Sequence, residues 1–385
     1  MLLDDAAAKA VVARLDDLVR VNRIRSVLGN DPVALLGDAA QDAAVVARWN
    51  ALFANVGAQV PDVALQYIPA VEHRQRSDVS GASNTGADAW GGTRWGSSLN
   101  WSGVLIAAPG GGQFSTVSAR WRLPARQEIR LPPGGNPNSP PAAGINSYKV
   151  STWIGLDGHR SSSASLPQVG TTIVLDFRPG DPNCLPGTSF VVETYAWTQW
   201  WVKGKDSQPG YIEVPVPGFV VAPGETVTCW LTMPTPHEAF FRVVNDSTGA
   251  FWQKLWTNRP EDLQGMSVRV DRVKAPADGS AACFVVERPA VHRETAPQAV
   301  APLVPPRNLL YPVPDFGAIT LTECWARERR FGRPELLAGR VRDLGSRRVI
   351  RMFDRRPAPY RTAYCSVPAP AAEKDEVTVR YQAIA

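Results

Sequence analysis

The sequence is poor in charge, in cysteine and in histidine. Charged side chains make up 20% of its 385 residues. A coiled coil or helical repeat needs far more Glu, Lys and Arg and far less proline. Five cysteines are too few to staple a chain of this length. Their odd number fits a reducing compartment and leaves room for one or two disulfides among Cys184, Cys229, Cys283, Cys324 and Cys365. The four histidines, His73, His159, His237 and His292, include no i,i+4 pair, and no Cys-x-x-Cys or His-Glu-x-x-His occurs. No metal or other cofactor is therefore expected. Gly-x-Ser-x-Gly, P-loop and dinucleotide-binding fingerprints are also missing, and Ser102 sits on an expected strand rather than a strand-to-helix turn. No apolar run approaches the ~20 residues of a membrane-spanning helix. Met1-Leu2-Leu3 runs straight into Asp4-Asp5, without the basic and apolar regions of a secretory signal, so that export route is not expected.

What the chain has instead is glycine, proline and tryptophan, at 31, 34 and 13 residues. Residues 1–75 read as helical. Val11, Leu15, Leu18 and Val27 form one apolar stripe, and Val33, Leu36, Ala40, Trp49 and Phe53 form another after Pro32. A hairpin this short is marginal alone, so it reads as a docking element or a removable propeptide. Residues 76–97 have the polar, small-residue texture of a linker. From residue 98 to 383 the texture is β, with short runs rich in Val, Ile, Thr, Trp and Phe between Gly and Pro. Expected strands include Trp101–Ile106, Phe114–Leu123, Val150–Ile154, Thr171–Phe177, Phe190–Gln199, Thr226–Met233 and Ala281–Val286. Pro-rich segments such as Leu131–Ala143 and Pro297–Pro306 read as surface loops, Gly110-Gly111-Gly112 as a hairpin turn, and Pro334–Arg340 as a helical turn. Many strands without alternating helices predict an antiparallel sandwich or barrel.

Eleven of the thirteen tryptophans lie between Trp90 and Trp256. In Tyr195–Trp201, alternation puts Tyr195, Trp197, Gln199 and Trp201 on one strand face. That face suits the floor of a cleft for an extended peptide or glycan, and equally aromatic packing between sheets. Glu287 closes the run Cys283–Glu287 and shares a face with Cys283 and Val285. It reads either as a charge at a strand end or, if buried, as an acid or base. The stretch Arg327–Arg361 holds twelve Arg against four acids, a local excess of eight against +5 for the whole chain. Without regularly interleaved aromatics it reads as a solvated basic surface, and no nucleic-acid partner is expected.

Several segments taken in order resemble the glutamic peptidases, or eqolisins (family G1). They are Asn100-Trp101-Ser102-Gly103, Thr116-Val117-Ser118-Ala119, Trp153–Gly158 with Leu166-Pro167-Gln168-Val169-Gly170, Ala196–Trp200, and Phe284-Val285-Val286-Glu287. The likeness runs from about Ser98 to Tyr381. It implies an all-β, concanavalin-like antiparallel β-sandwich, here behind a short α-helical N-terminal extension. It implies an endopeptidase acting on polypeptides, with Gln168 matching the family Gln and Glu287 the family Glu. Glu287 would activate water and Gln168 would stabilise the oxyanion. Trp153 matches a cleft tryptophan, and Trp201 falls where the family carries a Tyr. Together with Tyr195, Trp197 and Gln199 these form the expected substrate-binding set. Where family members carry acidic residues on the Ala-Trp-x-x-Trp strand, this chain has Tyr195 and Gln199, and its pI is near 9.0. Losing like-charge repulsion removes one basis for a strongly acid optimum. The family is secreted, which the missing signal does not match. A monomer is expected, and the alternative is a non-catalytic concanavalin-like module binding glycan or peptide.

Overall fold

A computed structural model describes residues 94–108, 112–142, 144–158, 165–202, 214–216, 218–236, 238–257, 277–289, 310–329, 341–342, 347–353, 363–366 and 376–382. The expected helical segment 1–75, almost all of the linker 76–97, the expected Gly110-Gly111-Gly112 turn (apart from Gly112), the Pro297–Pro306 loop and the helical turn at Pro334–Arg340 lie outside the described residues.

The regular structure of the described residues is strand, apart from one short 3-10 turn at Arg126–Glu128. Its sixteen strands are β1 (Arg94–Ser98), β2 (Trp101–Ala107), β3 (Gln113–Arg122), β4 (Ser147–Leu156), β5 (Ser165–Phe177), β6 (Phe190–Val202), β7 (Val214–Pro215), β8 (Thr226–Thr235), β9 (Glu238–Asn245), β10 (Phe251–Thr257), β11 (Ala281–Glu287), β12 (Ala318–Arg329), β13 (Val341–Arg342), β14 (Arg347–Phe353), β15 (Ala363–Ser366) and β16 (Val377–Tyr381). Neighbours run β10-β9-β8-β3-β12-β16 on one side and β14-β2-β11-β4-β5-β6-β7 on the other, joined through β15. All pairings are antiparallel except β1 with β14.

Strand alternation explains why these two halves pack as a sandwich. Val117, Ala119 and Trp121 of β3, Leu231 of β8 and Phe241 of β9 turn to one shared core. Val104 and Ile106 of β2, Phe284 and Val286 of β11, Ile154 of β4, Val169 of β5 and Trp200 of β6 meet them there. The Trp121 indole donates across the layers to Thr171 Oγ1 at 2.9 Å, which satisfies a polar atom that the core would otherwise strand. The outward face of β2, β11, β4, β5 and β6 carries a second buried cluster, built from Trp101, Leu105, Trp153, Leu166, Trp197, Trp201, Cys283, Val285 and Ile350.

The observed β5 begins six residues before the expected Thr171. Pro167 lies inside it, paired with Trp200, although a proline ordinarily argues against a central strand. The Arg-rich stretch is not all solvated surface. It supplies β13 and β14, and Arg327 is buried, which lowers its guanidinium to a pKa of about 10. No helix among the described residues is long and apolar enough to cross a membrane.

All five cysteines are free, and only Cys184 is not buried. Burial pushes the Cys229, Cys283 and Cys365 thiols up, away from the reactive thiolate. Titration with an aromatic disulfide reagent should therefore find one reactive thiol in the native protein and five after denaturation. Fewer than five in denaturant without reductant would show a disulfide.

Candidate active site

Three rows of side chains cross the second buried face, set by strand register. The first is Trp101–Glu287–Ser151–Thr172–Tyr195, the second Gly103–Val285–Trp153–Gly170–Trp197, and the third Leu105–Cys283–Gly155–Gln168–Gln199. All seven residues expected at the site therefore share one face.

Glu287 is buried and held from two sides. Asn100 Nδ2 donates to Oε1 at 2.9 Å, and Trp153 Nε1 donates to Oε2 at 2.7 Å. Asn100 is oriented in turn by Ser98, whose hydroxyl donates to Asn100 Oδ1 at 3.0 Å and accepts the Trp101 amide at 3.1 Å. That leaves the Asn100 NH₂ to face the carboxylate. Trp101 stacks edge-on against Trp153, with centroids 5.0 Å apart, and fixes the indole. Trp153 has room because residue 170 is glycine. A Cβ there would come within 2.5 Å of Trp153 Cβ and 2.2 Å of the Thr152 carbonyl oxygen.

Gln168 is buried on the third row, and its amide donates to Gln199 Oε1 at 2.6 Å. Gln199, also expected at the site, orients Gln168. One N–H of the Gln168 amide is thereby committed and the other remains for a ligand. Gln168 Oε1, Trp101 Nε1 and Trp197 Nε1 are buried on this face with no hydrogen-bond partner among the described residues. Tyr195 packs at the margin of the aromatic cluster, and Trp201 lies one row beyond Gln199.

Gln168 and Glu287 share the face but not a row. Four residues along the strands and two strands across separate them, about 16 Å between Cα atoms in a flat sheet. Trp153 stands on the diagonal between them. The β11 residue on Gln168's own row is Cys283, with only Gly155 between. Sequence reasoning passed over Asn100, Ser98 and Cys283. Asn100 lay inside a quoted segment, but nothing in its local pattern announced a carboxylate partner 187 positions away.

At the edge of the site, Asp157 ties β4 to the start of β11. Its carboxylate accepts Gly279 N at 2.8 Å, Ser280 N at 2.5 Å and Ser280 Oγ at 2.8 Å. The residue adopts φ 72°, a conformation that Asp tolerates better than most side chains.

The Peptidase A4 family matches residues 99–332. The chain belongs to that family, the eqolisins, and is a peptide-bond hydrolase. Among solved structures it is similar to scytalido-glutamic peptidase with a transition-state analogue inhibitor, at 15% identity over 74% of this chain and 98% of that one, with a TM-score of 0.46. It is similar to SCP-B, an eqolisin solved with the tripeptide Ala-Ile-His, at 16% identity, 74% and 98% coverage, and TM-score 0.43. The third is aspergilloglutamic peptidase from Aspergillus niger, at 15% identity, 61% and 99% coverage, and TM-score 0.36. No curated protein sequence matches the chain.

Burial raises the Asp157 carboxyl above its ordinary range, against opposing hydrogen bonds from Ser280 and Gly279. A folded-state value above the unfolded one means the folded protein holds this proton more tightly. The group then costs stability as pH rises through that window. Asp157→Ala should lose about 3 kcal/mol, because two buried backbone N–H groups lose their acceptor. Asp157→Asn cannot ionise, so urea unfolding should show its stability relative to wild type improving as pH rises through the window. A pH-independent difference between the two would contradict this.

Proposed function

We propose that the chain is an endopeptidase of the glutamic type, with Glu287 as general base and Gln168 as oxyanion donor. The observation that carries this reading is the pairing of two pre-oriented polar groups on one buried aromatic face. Glu287 is the only buried carboxylate on the described strands of that face, and two donors aim it. Gln168 is aimed by Gln199. Trp101 Nε1, Trp197 Nε1 and Gln168 Oε1, which have no partner among the described residues, ask for both acceptors and donors, which a peptide backbone presents together.

In the proposed reaction Glu287 takes a proton from water, and the water oxygen attacks the scissile carbonyl carbon. The second N–H of Gln168 donates to the developing oxyanion. Protonated Glu287 then gives its proton to the leaving nitrogen as the C–N bond breaks, so no net proton is consumed. The register sets a condition on this path. Each extended side chain reaches about 5 Å from its Cα, so water and carbonyl must span the remaining several ångströms over Trp153 and Gly155. The aromatic residues Trp153, Trp197, Trp201 and Tyr195 would hold the substrate chain along that span, whose length favours a polypeptide over a single small ester or amide.

Glu287→Gln keeps both donors' geometry but cannot accept the proton, and should lower kcat by 10²-fold or more. Gln168→Ala should lower it by about 10²–10³-fold. Cleavage of an acid-denatured protein from acid to neutral pH reads both, with circular dichroism confirming the fold. Wild-type rates in folded Glu287→Gln would remove Glu287 from the reaction.

A further inference from the structure

Cys283 occupies a place that the proposed reaction leaves unused. It faces Gln168 along the third row, about 10 Å away between Cα atoms. The position between them has no side chain. A Cβ on Gly155 would meet the Pro167 carbonyl oxygen at 2.9 Å, Leu166 Cδ1 at 3.0 Å and Gln168 Cβ at 3.1 Å, so glycine at 155 is what lets Gln168 and its strand lie close over β4 on this row. Gln168 Oε1 is buried on the same row without a partner among the described residues.

The Cys283 thiol does no acid–base work there. It is fully buried, donates to the Asp157 carbonyl oxygen at 3.1 Å, and has its proton held on by desolvation. A neutral thiol hydrogen-bonded to the Asp157 carbonyl neither attacks a carbonyl nor deprotonates water. Glu287, the buried carboxylate on the described strands of the face, sits two rows off, behind Trp153.

We propose that position 283 sets the hydrolytic rate of this site, because Cys283 fills, with a group that cannot take a proton from water, the place directly opposite the Gln168 amide. A carboxylate there would form a compact pair with Gln168 across Gly155 and would shorten the proton path that Glu287 must otherwise cover. This inference rests on the reading of the face as the peptide-cleaving site, and its arms are separable from the test of Glu287.

The test compares Cys283→Glu, Cys283→Asp and Cys283→Ser with wild type, each also combined with Glu287→Gln, on the same denatured-protein substrate. Aspartate is close to cysteine in volume and guards against a failure of the longer glutamate to fit. At least one carboxylate variant should raise kcat tenfold or more with little change in KM, and should keep that gain when Glu287→Gln is added. Cys283→Ser should stay within about twofold of wild type. The proposal is overturned if neither carboxylate variant exceeds wild type, or if Cys283→Ser abolishes cleavage, which would make the thiol itself the reactive group. Loss of wild-type activity in Glu287→Gln alone bears only on the role of Glu287.

Discussion

The register of β11 between β2 and β4 governs the rest of the site. Phe284 and Val286 fill the sandwich core, and both are fully buried. A slip of one residue would turn them outward and carry Cys283, Val285 and Glu287 into the core. Burying an unpaired carboxylate there costs far more than the strand contacts return. The hydrophobic face of β11 therefore fixes which polar groups appear on its other side. The same lock acts on β4 through Ile154 and Leu156, and on β5 through Val169 and Ile173. The site is rigid because its backs are core.

Within that frame two glycines shape the floor. Gly170 admits the Trp153 indole, and Gly155 lets Leu166, Pro167 and Gln168 of β5 pack close over β4. Neither has a positive φ, so their role is volume rather than backbone freedom. The polar groups are tied by hydrogen bonds: Ser98, Asn100, Trp153 and Glu287 are linked, and so are Gln168 and Gln199. These bonds restrict how the Glu287 and Gln168 side chains can turn.

Much of the fold was legible because alternation and β-branched residues mark strands wherever one face is buried. The cores of β2, β3, β6, β8, β9 and β11 fell within a few residues of their observed ends. The start of β5 was hidden by Pro167, whose missing N–H speaks against a strand between two neighbours. That concealed the strand context of Gln168, which only the family resemblance singled out. The strands in the Arg-rich region were missed for a different reason. A run of charge reads as solvent, yet Arg351 and Arg347 interrupt β-branched residues, and Arg327 is buried within β12. Parity grouped Tyr195, Trp197, Gln199 and Trp201 on one face of β6 and set Glu287 beside Val285 and Cys283 on β11. That these share a face with Trp153 and Gln168, and on which rows, was not legible, because it depends on β11 pairing with β4 more than a hundred residues away, which local pattern does not encode.

The row structure also bears on why the chain differs electrostatically from what a cluster of carboxylates would create. On these rows Tyr195, Gln199 and Cys283 contribute a phenol, an amide and a thiol rather than carboxylates. Glu287 therefore meets hydrogen-bond donors on its flanks rather than other negative charges. Like-charge repulsion, the usual way to hold a carboxyl protonated into the acid range, has no source on these rows. Asn100 and Trp153 both donate to the Glu287 carboxylate, and both are neutral. The surplus arginines lie mainly in the C-terminal third of the sequence and add no carboxylate to these rows. The donors that meet Glu287 and the net charge of the protein are therefore set by different parts of the chain.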